Sequence, residues 1–195
     1  MSESTLTAGH LDMARSWLVR NGSVLFYGMP ATMDDTVVND LIHATSGRRV
    51  LSCHGGHANQ DRPLGALIDL FSSVDEHEAA ALPPADRRIL AESIFRPRSP
   101  TAPAPPLSDL GPAVLGLLRT LGRATPLLLV LEAVHRLDHE TRHILQFVAE
   151  RADRLPIVTV AVEDVRGLAT PEGYQLCPPP LVMIRLSPLP EPSLI

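Results

Sequence analysis

The residues best placed to do chemistry lie in "LFYGMPATMDDTVVNDLI", positions 25–42: an apolar run, a glycine turn and a helix start. That is the layout of a phosphate-binding loop, GxxxxGK[ST] between a strand and a helix. Such a loop works because its glycines let backbone N–H groups converge on phosphate oxygens and the helix N-terminus adds partial positive charge. A lysine then neutralises the terminal phosphates, and a hydroxyl ligates Mg²⁺. Here Gly28 keeps the first position, but Met33 stands at the second glycine, Asp34 at the lysine and Asp35 at the hydroxyl, with Thr36 one step later.

Exchanging lysine for aspartate reverses the charge at that position, and Asp35 adds another negative charge beside it. A like-charge pair roughly 4 Å apart is worth about 4 kcal/mol at an effective dielectric near 20. Helix dipole and backbone donors return only about 1–2 kcal/mol. No lysine occurs anywhere in the 195 residues, all 17 basic side chains being arginine, so none can be borrowed from another element. The pattern predicts no tight triphosphate binding in the usual pose. Asp34 and Asp35 have a structural alternative as helix N-caps, worth about 0.5–2 kcal/mol. They could also join Glu132 in a divalent-cation cluster, but the cap is the expectation.

Other constellations are weaker. "CHGGH" gathers Cys53, His54 and His57, yet a structural zinc takes four ligands, usually as two spaced pairs, and no second pair is near in sequence. Ser52, Ser72 and Ser73 lack a nucleophile-elbow context. "RPRSP" with "APAPP" has the composition of a polyproline ligand, and a solvated connector explains it as well. The apolar stripe of "HETRHILQFVAERADR" reads as core packing.

These groups need elements to hold them. Continuous apolar runs at 23–28, 48–56, 126–138, 155–164 and 178–189 predict five strands, and helical periodicity predicts helices over 10–20, 34–45, 63–74, 84–95, 110–123 and 139–153. Strands alternating with helices, and apolar throughout, predict a single α/β domain: a mostly parallel sheet with helices on both faces. The domain is expected over 10–195, after a flexible stretch at 1–9 and with a proline-rich loop at 96–109.

Composition narrows the classes. With 45% hydrophobic residues the chain can bury one good core, built from aliphatic side chains because aromatics make up only 4%. A net charge of −5 argues against nucleic acid as a direct partner. The two cysteines, Cys53 and Cys177, show no pairing pattern, and no run approaches the length of a membrane span or a signal peptide. The expected setting is cytoplasmic.

Taken in order, "SVLFYGMPATMDDTVVNDLI", "RRVLSCHGG", "RPLGALIDLF", "LPPADRRIL", "AVLGLLRTL" and "PLLLVLEAVHRLD" resemble the large ATP-binding LuxR-type transcriptional regulators. Those carry an N-terminal STAND/AAA-type P-loop ATPase module, a helical-repeat region and a C-terminal helix-turn-helix. The likeness covers residues 10–190 and takes in the ATPase module alone. It implies a P-loop NTPase-like fold with the first strand, 23–27, beside the third, 127–131. It places a Walker A loop at Gly28 to Asp35 and a Walker B strand at "LLLVLEA", with Glu132 at the metal-associated acid. Ala133 then stands where a second, water-activating acid usually follows, Arg136 where tryptophan is usual, and Asp164 at the sensor position.

The vestigial nucleotide site is therefore expected at Gly28, Asp34, Asp35, Thr36 and Glu132, with no catalytic residue, no metal and no cofactor. The expected function is that of a non-hydrolysing regulatory protein, alone or as a piece of a longer regulator. It would act by contact with a protein partner, a transcriptional regulator or a second copy, without binding DNA directly. Two alternatives stand beside it. One is a signalling module with residual Mg-ATP affinity. The other is an enzyme or small-ligand binder reusing the sheet edge near Glu132, which Met29 and Met33 filling that edge would oppose.

Overall fold

A computed structural model describes residues 8–28, 35–56, 62–96, 106–152, 155–165 and 169–186. The five expected strands form one parallel sheet: β1 (Ser23–Gly28), β2 (Arg49–His54), β3 (Leu127–Glu132), β4 (Ile157–Asp164) and β5 (Leu181–Leu186), in the order β2-β3-β4-β1-β5. Between them run α1 (Ala8–Val19), α2 (Asp35–Ala44), α3 (Gly65–Leu70), α4 (Pro84–Leu90), α5 (Leu107–Ala124) and α6 (His139–Ala149).

Side chains alternate across each strand, so a strand that is apolar at every position supplies two cores. Val24 and Phe26 join Leu128, Val130, Val158, Val160 and Val162 on the face covered by α1 and α2. Leu25 joins Leu127, Leu129, Leu131, Ile157 and Ala161 on the opposite face, packed against α3 to α6. No helix among the described residues is long and apolar enough to cross a membrane.

The strand order corrects one expectation. β1 is interior but does not touch β3, because β4 lies between them, with Val24 level with Val160 and Leu131 level with Ala161. Burial separates interior strands from rim strands: β3 and β4 are each buried at every position but the last and lie inside the sheet. β2 exposes Ser52 and His54, β5 exposes Met183 and Arg185, and both go to the rims. The Ser23 hydroxyl accepts the Thr159 N–H at 3.1 Å, a further tie between β1 and β4.

Several boundaries also move. α1 begins at Ala8, inside the stretch expected to be flexible, and α5 begins at Leu107, inside the expected loop. Pro106 accounts for the second shift: its fixed φ sets the chain up for a helix start, and its carbonyl accepts from Asp109 and Leu110. The 63–74 helix shrinks to Gly65–Leu70, preceded by Leu64 in the left-handed region at φ 62°. The 84–95 helix ends its α-form at Leu90 and continues as a π-turn, Ala91–Phe95.

Candidate functional site

In an open parallel sheet, ligands bind beyond the carboxyl ends of the strands. Here that edge carries Gly28, His54, Glu132 and Asp164, followed by the 3-10 turn Val134–Arg136. Asp34, Met29, Met33 and His57 lie outside the described residues. Asp35 and Thr36 open α2, and their side chains are likewise outside what is described. The proposed cluster of Asp34, Asp35 and Glu132 is therefore described at Glu132 alone.

Gly28 has φ +150°, and a Cβ there would lie 2.2 Å from the Leu186 carbonyl oxygen on β5. Its own carbonyl accepts the Val165 N–H at 2.9 Å. Strand packing by itself thus demands glycine at this position, whatever the loop binds. Glu132 is separated from Gly28 by the width of β4, roughly 10 Å of sheet. Its side chain is 28% exposed, with one carboxylate oxygen 3.9 Å from His54 Nδ1. The following residue, Ala133, is left-handed at φ 48°, and its carbonyl comes so close to Gly55 that a Cβ at 55 would meet it at 2.3 Å. Ala133, where the resemblance places a water-activating acid, offers no proton acceptor.

Asp164, the expected sensor, meets a group that sequence reasoning had not paired with it. Its backbone N–H donates to His135 Nδ1 at 3.2 Å, while its buried Oδ1 has no hydrogen-bond partner among the described residues. Burial holds the His135 imidazole below its ordinary pKa, opposed by Asp164 and Glu163 and assisted by Arg136 and Arg142. A basic group depressed in the folded state stabilises above its unfolded pKa and loses that contribution as pH falls. The melting temperature is therefore expected to drop as pH falls below about 6.5. His135→Asn, which keeps an acceptor and does not titrate, should flatten that part of the profile; an unchanged pH profile in the variant would exclude the assignment.

Two buried carboxylates prove structural, and sequence reasoning missed the work of both. Glu163, 5% exposed, accepts the N–H groups of Glu172 (3.1 Å) and Gly173 (2.6 Å), fastening the 3-10 turn Gly173–Leu176 onto β4. Asp138, 2% exposed, accepts from Leu64 N–H (3.0 Å) and Thr141 N–H (2.9 Å) on Oδ1, and from Ala66 N–H (3.1 Å) and the Thr141 hydroxyl (2.8 Å) on Oδ2. The Thr141 hydroxyl in turn accepts Leu67 N–H at 3.1 Å. The spacing Asp138-x-x-Thr141 is a readable helix cap for α6; the second helix start it holds, that of α3, is not readable.

Of the zinc alternative only Cys53 and His54 are described, and they point apart. Cys53 is buried in the core beneath α3, and His54, one residue on, is exposed on the other face of the strand. Burial, with Asp69, Asp138 and Glu132 nearby, pushes the Cys53 thiol up to about 12. No metal-binding group of three or more such side chains occurs among the described residues. Arg142, at the same end of the sheet, is already engaged: it donates to the Val134 carbonyl at 2.8 Å and pairs with Glu172 at 3.3 Å.

Five parallel strands in this order, with a strand–glycine–helix crossing after β1 and an acid at the end of β3, define an α/β domain of P-loop NTPase type. The model of the AAA ATPase domain family matches residues 18–160, most of the chain, and the chain belongs to that family. No curated protein matches the sequence.

Proposed function

We propose that this chain is a non-hydrolysing regulatory module: an AAA-type domain from the LuxR-regulator line whose nucleotide site has lost its chemistry. It acts in the cytoplasm by contact with a protein partner, a transcriptional regulator or a second copy. The observation that carries this is the charge of the loop. Asp34 and Asp35 replace the lysine and hydroxyl in a chain with no lysine at all. Ala133 at the water-activating position, and a glycine at 28 that strand packing already requires, support it. A nucleotide shifts a conformational equilibrium only through different affinities for its two states. A module that does not bind one is left in a single state, as a constitutive docking element.

The test is purified protein with about 5 mM Mg-ATP, since any ligand of the native state raises its melting temperature. No shift is expected, and ATP turnover should equal that of a Glu132→Ala control. Turnover well above that control would overturn the proposal. A shift without turnover would favour the second reading, a signalling module with residual Mg-ATP affinity, to which membership of the AAA ATPase domain family lends support.

A further inference from the structure

At the other edge of the sheet lies a groove that the nucleotide site does not account for. β2 starts at Arg49, whose guanidinium pairs with Glu78 and donates to the Ser73 carbonyl at 3.0 Å. This anchors the segment 73–80 at the amino ends of the strands, roughly 17 Å along β2 from His54. Between that segment and α4 is a half-open groove of about 480 Å³, with Arg87, Arg88 and Arg96 exposed along it.

Its α4 wall is one helical face: Pro84, Arg87, Arg88 and Ala91 follow i, i+3, i+4, i+7 spacing. Arg96, just past the π-turn, adds a third guanidinium, and Asp75, Glu76 and His77 line the facing wall. Both acids are occupied. Glu76 pairs with Arg96 at 2.7 Å, and Asp75 accepts the His77 N–H at 2.8 Å as the cap of the turn Glu76–Ala79. Arg87 and Arg88 have no ion pair to any described residue. The macrodipole favours basic residues in the last turn of α4. It does not account for a concave pocket with three guanidiniums in a chain whose net charge is −5. Neighbouring planar guanidinium forks match the oxygens of phosphate and carboxylate groups.

We propose that this groove binds a small, multiply charged oxyanion, an organic phosphate or a polycarboxylate, with Arg87 and Arg88 as its main ligands. Arg96 is recruited as the anion competes with Glu76 for it. The site is independent of the loop at Gly28 and of the function proposed above.

The experiment titrates the whole chain at low salt with inorganic pyrophosphate in one arm and tricarballylate in the other, following arginine side-chain N–H resonances and binding heat. At least one anion is expected to move the Arg87 and Arg88 resonances, and the stronger arm identifies the chemistry. Arg87→Gln/Arg88→Gln should weaken that binding by at least about tenfold. Resonances that stay put in both arms at about 10 mM anion overturn the proposal. So does a double variant that binds as the native chain does, which would place the anion elsewhere. Should the double variant fail to fold, the resonances of the native chain decide alone.

Discussion

Asp138→Ala is expected to bring the domain close to unfolding, with a loss of about 4 kcal/mol or more in urea denaturation. The carboxylate collects four hydrogen bonds in a site only 2% exposed. Truncation leaves three backbone N–H groups and a hydroxyl without acceptors, and each buried orphan costs roughly 1–3 kcal/mol. It also releases Leu64, whose left-handed backbone at φ 62° is held by its bond to Oδ1. Asp138→Asn should lose about half as much, because one oxygen survives while the new amide faces the Ala66 N–H. An alanine variant within about 1 kcal/mol of the native protein would show that the network is not the joint between α3 and α6 that its geometry describes.

Rebuilding the loop should have the opposite kind of effect. The triple change Met33→Gly, Asp34→Lys, Asp35→Thr removes two like charges, restores the cation and the hydroxyl, and frees the backbone at 33. Mg-ATP affinity is expected to rise at least about 100-fold, the equivalent of roughly 2.7 kcal/mol, a conservative share of the electrostatic terms involved. Hydrolysis should not follow, because Ala133 still provides no base. Adding Ala133→Asp is the step that should produce turnover, since aspartate tolerates the left-handed conformation found there. Equilibrium binding and phosphate release measured along this series separate the two losses. A triple variant with unchanged affinity would mean that charge at 34 and 35 is not what empties the site.

The residues that look catalytic in the sequence and those that carry the structure are largely different sets. Gly28 reads as a phosphate-loop glycine, yet the Leu186 carbonyl already forbids any Cβ there. Asp138, the last residue of "PLLLVLEAVHRLD", caps one helix and anchors another across more than seventy residues of chain. Glu163 carries no mark in sequence, because its partners at Glu172 and Gly173 lie beyond the end of its strand, in a segment without periodicity. His135 and Asp164 lie 29 positions apart, and only the adjacency of β3 and β4 brings them together.

The strands, helices and parallel sheet of the described residues follow from the chain alone, because an unbroken apolar run and a 3.6-residue stripe are local patterns. The same holds for the acidic loop, whose charge belongs to the residue types and needs no geometry. Strand order, by contrast, was settled by packing. β3 and β4 share one burial pattern and are equally apolar when read singly, so nothing local to either run says which of them lies against β1. Which carboxylates cap, which glycines clear a neighbour's backbone and which arginines share a groove are likewise contacts between distant segments, and they exist once the sheet has brought those segments together.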